Sequence, residues 1–152
     1  MDTASIPAEF SDLFGRLALA VVMGALIGVD RELQHKPAGL RTHALVALGA
    51  CLMTVVGLML SGAPTMDFAA PGRILQGIVA GVGFIGGGAI FRQGDGSGNY
   101  GLTTASTIWI VAAMGTAAGA GLWRTTLSVT VLVVLLLLLD GPIDRLFKRR
   151  DN

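Results

Sequence analysis

Charged residues are scarce in this sequence: Asp, Glu, Lys and Arg make up 14% of its 152 residues, against about a quarter in ordinary water-soluble domains. Aromatic residues are few as well, and the single cysteine, Cys51, excludes an intramolecular disulfide. A net charge of +1 gives no broad positive field for binding nucleic acid. Long apolar runs fill the sequence instead, with a mean hydropathy of +0.70. Such runs place the chain in a lipid bilayer.

The apolar runs predict an all-α polytopic membrane protein, because a lipid-facing backbone must satisfy its hydrogen bonds within each segment. We expect one transmembrane domain over residues 1–152, with five helices at about residues 13–29, 44–60, 74–91, 103–120 and 125–139. No Lys or Arg precedes the first run, which argues against a cleavable signal peptide. The first run is therefore expected to remain as a membrane span.

Lys and Arg are distributed unequally between the two ends of these predicted helices. Eight lie on one side, namely Arg31, Lys36, Arg41, Arg92, Arg145, Lys148, Arg149 and Arg150, and three on the other, namely Arg16, Arg73 and Arg124. Cytoplasmic loops carry the excess of positive residues in membrane proteins. The distribution predicts that the amino terminus lies outside and that the carboxyl terminus lies in the cytoplasm.

Pairs of glycines spaced four residues apart recur in three of the predicted helices. They are Gly24 and Gly28, Gly77 and Gly81, Gly83 and Gly87, and Gly115 and Gly119. Small residues at this spacing let helices approach closely in lipid. The pattern predicts tight helix packing and a homo-oligomer, with a dimer favoured.

The sequence also matches itself when it is shifted by 62 residues. Residues 13–60 then align with residues 75–122 without a gap, and 11 of the 48 positions are identical. The centre of the match is Gly-Leu-x-Thr, at 39–42 and 101–104. The match indicates that helices 1–2 and 3–4 form a parallel repeat about an axis along the membrane normal, as in some transporters.

The segment from Asp30 to His43 concentrates polar chemistry between the first two spans. It contains Asp30, Arg31, Glu32, His35, Lys36, Pro37, Gly39, Arg41, Thr42 and His43. Pro37 and Gly39 predict a turn, and Thr42 is a candidate N-cap of the second helix. Pairing of Asp30 or Glu32 with Arg41 or Arg92 is expected, since unpaired ions at the membrane boundary are costly.

Two interpretations of this segment remain open. One is a topology anchor whose acids neutralise surplus bases. The other is a cytoplasmic polar site, in which Asp30 and Glu32 are candidate oxygen ligands for Mg²⁺, although the neighbouring cations would repel such an ion. No resident cofactor is predicted.

The third loop is rich in glycine but lacks the Gly-Lys-Ser/Thr of a phosphate-binding P-loop. The start of the fourth helix is rich in hydroxyls, which can cap the helix or line a polar pocket, with capping favoured; they belong to Thr103, Thr104, Ser106 and Thr107. The sequence contains no nucleophile–base pair and no zinc-ligand spacing, so an enzyme is not expected.

Three motifs resemble the MgtC/SapB family of membrane proteins. They are GALIGVDRE followed by KPAGLRTH (24–43), RILQGIVAGVGFIGGGAIFR (73–92) and GLTTASTIW (101–109). The resemblance implies a bacterial inner-membrane protein of about five spans. Members of that family are associated with growth at low magnesium, survival inside host cells and acid adaptation, and the best-known member is thought to restrain the proton-driven ATP synthase.

The chain departs from the family pattern in two respects. It ends thirteen residues after Leu139, so it resembles a short form without the soluble carboxyl-terminal domain of many virulence-associated members. It also has Ile110 where some members have a cysteine. An asparagine of the third loop matters in the family, and Asn99 is the nearest match.

Two classes of function follow from the sequence. The first is a non-enzymatic modulator of membrane physiology, in low-magnesium or acid adaptation, that binds itself or another membrane complex. The second is a small transporter or channel for Mg²⁺ or protons, which the repeat and the polar segment favour.

Overall fold

The structure, a computed structural model, describes residues 5–60, 69–91 and 99–148, which form five α-helices. They are α1 (Ser5–Leu33), α2 (Leu40–Leu60), α3 (Ala69–Phe91), α4 (Asn99–Gly119) and α5 (Trp123–Lys148). The predicted number of helices and the all-α class are confirmed. Each helix begins earlier than predicted, because polar residues at the helix starts are helical although they interrupt the apolar runs.

Four of the helices are long and apolar enough to cross a bilayer. The qualifying segments are Phe10–Leu33, Leu40–Leu60, Pro71–Phe91 and Gly101–Gly119. The apolar part of α5, Trp123–Leu139, is shorter and lies near the lower limit of about 17 residues for a spanning helix. The protein is therefore a multi-pass membrane protein.

Helices α2 and α4 pack against each other at the centre of the bundle. Helices α1 and α3 each contact both of these central helices, and within the described residues α1 and α3 do not contact each other. Helix α5 packs on α1 and α4. The main core cluster lies among α1, α2, α4 and α5, and its buried members are Ala20, Met23, Ile27, Ala47, Cys51, Val55, Val111, Met114, Ala118 and Leu137.

The helix contacts agree with the 62-residue repeat. A Cβ at Gly24 of α1 would meet His43 and Ala47 of α2, and a Cβ at Gly86 of α3 would meet Ala105 of α4. Gly86 and Ala105 are the repeat equivalents of Gly24 and His43. Equivalent positions of the repeat therefore make equivalent contacts in the pairs α1–α2 and α3–α4, and each outer helix also contacts the central helix of the other pair. This is the arrangement that an approximate two-fold axis between α2 and α4 would produce.

Helix α4 ends in a Schellman motif. Leu122 N donates to Ala117 O at 2.9 Å and Gly121 N to Ala118 O at 3.0 Å, with Gly121 at a left-handed φ of 78°. The carbonyl of Gly119 accepts a further hydrogen bond of 2.9 Å from Arg16 Nη1 of α1. Both features satisfy carbonyls that lack helical partners at a helix end.

Candidate functional site

A buried polar cluster joins α1, α2 and α4 at the end of the bundle that carries loop 1 (residues 34–39). Its members are Arg31 of α1, His43 of α2, and Thr104 and Thr107 of α4. Arg31 and His43 are both 0% exposed, although charged side chains are rarely fully buried. This cluster is the candidate functional site because it concentrates polar groups within an otherwise apolar bundle.

Hydrogen bonds run through the cluster from one helix to the next. Arg31 Nη2 lies 3.4 Å from Thr104 Oγ1, a long contact in which the guanidinium donates. His43 Nε2 lies 3.0 Å from Thr107 Oγ1, and His43 Nδ1 lies 2.9 Å from Gly39 O. The side chains of His43 and Arg31 therefore attach α4 to the two helices that flank loop 1.

The geometry restricts the proton positions on His43. The Gly39 carbonyl can only accept, so Nδ1 carries a hydrogen. In a neutral imidazole Nε2 then accepts a hydrogen bond from the Thr107 hydroxyl. In an imidazolium Nε2 donates, and the Thr107 hydroxyl donates instead to Thr104 O, which lies 2.9 Å away. The Thr107 hydroxyl serves both protonation states by rotating.

Loop 1 begins with a second Schellman motif, at the end of α1. Lys36 N donates to Arg31 O and His35 N to Glu32 O, each at 3.0 Å. His35 occupies the left-handed position with a φ of 55°, where glycine is the usual residue. The turn predicted from Pro37 and Gly39 is present, and its left-handed residue is His35.

Gly39 leaves room for the side chain of Glu32. A Cβ at Gly39 would meet the carboxylate of Glu32, and one at Gly28 would lie 2.5 Å from Leu40 Cα. Glu32 Oε2 accepts a hydrogen bond of 3.1 Å from Leu40 N, so Glu32 caps the start of α2. The prediction that Thr42 is the N-cap was wrong, because α2 already begins at Leu40.

The predicted ion pairs of Asp30 and Glu32 with Arg41 are not formed. Both carboxylate oxygens of Asp30 accept hydrogen bonds from Gln34 Nε2, at 3.0 and 2.9 Å, and the Arg41 side chain is exposed. Arg92, the other predicted partner, lies outside the described residues. Within the described part of the chain, no group of three or more His, Cys, Asp or Glu residues is placed to hold a metal ion.

The other predicted site residues occupy different positions. Lys36 is half-buried, Thr103 is exposed and Thr104 is buried in the cluster. Asn99 is the first residue of α4, and its side chain lies outside the described part. Thr107, one of the hydroxyl residues predicted to cap the fourth helix or line a polar pocket, also belongs to the cluster. Its spacing of three residues from Thr104 places both hydroxyls on one helix face.

The glycines predicted to pack helices divide into two groups. Gly24, Gly28, Gly115 and Gly119 lie against the backbone of α2 or of loop 1, so closely that any added Cβ would overlap it. A Cβ added at Gly77, Gly81, Gly83 or Gly87 would meet no other described residue within 4 Å. The second group therefore does not pack helices within the chain, because α3 lies at the edge of the bundle.

Comparison with known proteins decides the family. The sequence profile of the MgtC family matches residues 17–146. The chain belongs to the MgtC family. It is 42% identical over 131 residues to protein SrpB of Synechococcus elongatus, covering 80% of this chain and 71% of that one.

Two relatives that are named MgtC extend this comparison. This MgtC-family chain is 40% identical over 127 residues to that of Brucella abortus, covering 84% of this chain and 50% of the relative. It is 39% identical over 118 residues to that of Salmonella typhimurium, covering 78% and 48%. The chain thus spans about half the length of these two relatives. No solved structure matches it.

Proposed function

We propose that this MgtC-family chain is a non-enzymatic protein of the bacterial inner membrane that modulates another membrane complex by binding to it. Its physiological setting would be adaptation to low magnesium or to acid. The proposal assigns it no cofactor.

One observation carries this proposal: the middle of the bundle has no carboxylate, amine, guanidinium or imidazole side chain. Residues 17–29, 44–60, 74–91, 99–119 and 125–139 contain no Asp, Glu, Lys, Arg or His. Ion and proton pathways through membrane proteins are marked by such residues facing the interior. The absence of these residues from the middle parts of the five helices therefore favours a modulator over a transporter.

The buried hydroxyls of the described spans support the same proposal. Thr54 Oγ1 donates to Ala50 O at 2.8 Å, and Thr130 Oγ1 donates to Thr126 O at 2.7 Å. Each hydroxyl hydrogen is thus used within its own helix. Apolar side chains fill the core between Arg16 at one end and Arg31 at the other.

The alternative is a small transporter or channel for Mg²⁺ or protons. The buried pair of His43 and Thr107 is the feature that favours it, because the two side chains could relay a proton. The pair lies at the loop 1 end, and the next buried residues along α4 are Ile108 and Val111. A relay would therefore stop at an apolar layer.

The proposed orientation places loop 1 in the cytoplasm and the amino terminus outside. The excess of basic residues on the loop 1 side supports it. At the opposite end the ring of Trp123 is half exposed, with Arg124 stacked 5.1 Å from the ring centroid. Tryptophan is enriched at membrane interfaces, which fits that position.

Flux into proteoliposomes separates the two functions. The purified protein is reconstituted and entry of Mg²⁺ and of protons is followed with trapped dyes, with Asp30→Ala and Glu32→Ala as controls. We expect no flux above that of protein-free vesicles. Flux that is lost in these two variants would refute the modulator proposal.

Growth of a deletion strain in low-magnesium medium tests the binding part of the proposal. We expect wild-type protein to restore growth and Arg41→Glu to fail at an equal membrane level, since Arg41 is exposed beside loop 1. Leu52→Phe, a change at an exposed position about three turns further into α2 and within the apolar span, is the matched control and should restore growth. Full growth with Arg41→Glu would contradict docking through this surface.

A further inference from the structure

Helix α3 is the least covered span of the bundle. Only 11% of its apolar window is buried within the chain, compared with 50% for α4. Phe84 and Phe91 are 86% and 87% exposed. Phenylalanine side chains bury large areas when they find a partner, so this face of α3 has much contact area to offer.

A groove of about 810 Å³ runs between α2 and α3. Its floor is formed by small residues, including Gly49 of α2 and Gly77 and Gly81 of α3. A Cβ at any of these three positions would meet nothing within 4 Å. The groove is apolar except for Arg73 at one end, and it has the shape of a helix-binding surface.

The approximate two-fold axis shows what kind of element covers such a groove. The axis relates the α2–α3 groove to the groove between α4 and α1, which α5 fills. Four lining residues of the empty groove, Gly49, Val56, Gly81 and Ile85, are the repeat equivalents of Val111, Ala118, Leu19 and Met23 in the core cluster beside α5. The filled counterpart therefore indicates a single transmembrane helix as the occupant.

The direction of the occupant is fixed by the same comparison. Helix α5 starts beside the start of α1, where Trp123 lies with Asp12 and Arg16 around one pocket, so α5 runs parallel to α1. The occupant of the equivalent groove runs parallel to α3. In a membrane, a second copy related by a two-fold axis along the normal presents its own α3 in that direction.

The exposed face of α3 is self-complementary. Gly77, Gly81, Phe84, Gly88 and Phe91 follow one another at alternating spacings of four and three residues, the seam of a parallel coiled coil. The phenylalanines supply side chains that project from the seam, and the glycines, with open space around them, supply the holes. One helix face thus contains both halves of an interface.

We infer that the α2–α3 groove binds α3 of a second copy, pairing two chains in parallel along the Gly77–Phe91 seam. An acyl chain filling the groove would not require the alternating spacing of glycine and phenylalanine. A foreign helix would not require that both parts of the seam lie on the same face. This inference does not depend on the proposed modulator function, because the pairing can be tested with the purified protein alone.

Counting copies in lipid bilayers tests the pairing. The protein is labelled with one fluorophore per chain, reconstituted at low density, and scored by single-molecule photobleaching steps. We expect two-step particles for the wild type and at least a tenfold lower fraction for Gly81→Leu, because leucine at Gly81 fills the seam. Gly83→Leu is the matched control, since Gly83 is also open but lies about 120° from the seam at 100° per residue; it should pair like the wild type.

Other outcomes would overturn the inference. If the wild type gives single-step particles at every protein density, the groove does not bind a second copy. Native mass spectrometry would then show whether the monomer retains a phospholipid, and either result would contradict the pairing. Equal losses for Gly81→Leu and Gly83→Leu would rule out the seam. Protection of Cys51 from thiol reagents, measured in both variants, verifies that the bundle itself remains folded, because Cys51 is buried. The flux and growth assays are separate readouts, so their failure would leave the pairing result intact.

Discussion

Replacing Gly24 by alanine is the sharpest test of how α1 and α2 are held together. The added Cβ would lie 2.7 Å from His43 O and 2.9 Å from Ala47 Cβ. The first distance is about 0.7 Å short of the 3.4 Å at which ordinary contact begins. The obstacle is the backbone of α2, which cannot retreat without drawing His43 away from Thr107.

The expected cost follows from two opposing effects. Overpacking against a backbone costs up to about 3 kcal/mol, whereas replacing glycine by alanine within a helix returns about 1 kcal/mol. The net destabilisation of Gly24→Ala is then about 2 kcal/mol. A change of this size raises the population of opened molecules by about 30-fold.

The single thiol provides the assay. Cys51 is 0% exposed in the core between α2 and α4, so a thiol-reactive dye labels it only when the bundle opens. We expect Gly24→Ala to speed labelling in mild detergent by about 30-fold. Gly83→Ala, the same change at an open position of α3, should label no faster than wild type. Equal acceleration in both variants would refute the packing argument.

Three further variants test the polar cluster and loop 1. Thr107→Val leaves the buried Nε2 of His43 without its partner and should cost about 1–3 kcal/mol by the same labelling assay. His35→Gly removes a side chain from a left-handed position and should stabilise the protein by about 1 kcal/mol, seen as a higher thermal midpoint. Glu32→Ala removes the acceptor for Leu40 N and should cost about 1 kcal/mol in the same thermal measurement.

Each of these variants has a conservative partner. Thr107→Ser keeps the hydroxyl and should retain most of the stability, whereas a loss equal to that of valine would mean that the methyl group matters instead. His35→Ala keeps a Cβ in the left-handed region and should gain little; a gain equal to that of glycine would exclude backbone strain. Glu32→Gln keeps an oxygen acceptor for Leu40 N. If it loses as much stability as Glu32→Ala, the negative charge of Glu32 and not its hydrogen bond is what stabilises the start of α2.

Much of the fold was predictable from the sequence because lipid leaves few choices. Long apolar runs must be helices in a bilayer, and the repeat of 62 residues predicted which helix pairs are equivalent. The helix ends were less predictable. Thr42 has the residue type of an N-cap, but α2 is capped by Glu32, which lies eight residues before Leu40 and reaches its N–H only once loop 1 has folded back.

The polar cluster was predictable only in part. The segment from Asp30 to His43 was identified as the place where polar residues concentrate, and Arg31, His43 and Thr104 are indeed brought together. The segment did not indicate which of its charges would be buried. Arg31 is buried while Arg41 is exposed, since burial depends on which side of each helix faces α4, and that follows from packing.

The glycine pairs show why a motif alone does not fix a role. Gly24 and Gly81 each have a second glycine four residues away, and both were predicted to pack helices. Gly24 lies against the backbone of a neighbouring helix, whereas Gly81 faces open space. The difference arises from the number of helices. Two repeats of two helices create two equivalent grooves, and among the described residues one further helix, α5, packs into one of them. The fifth helix covers the α1–α4 groove and leaves the glycines of α3 exposed. Their proposed partner is therefore a helix of a second chain.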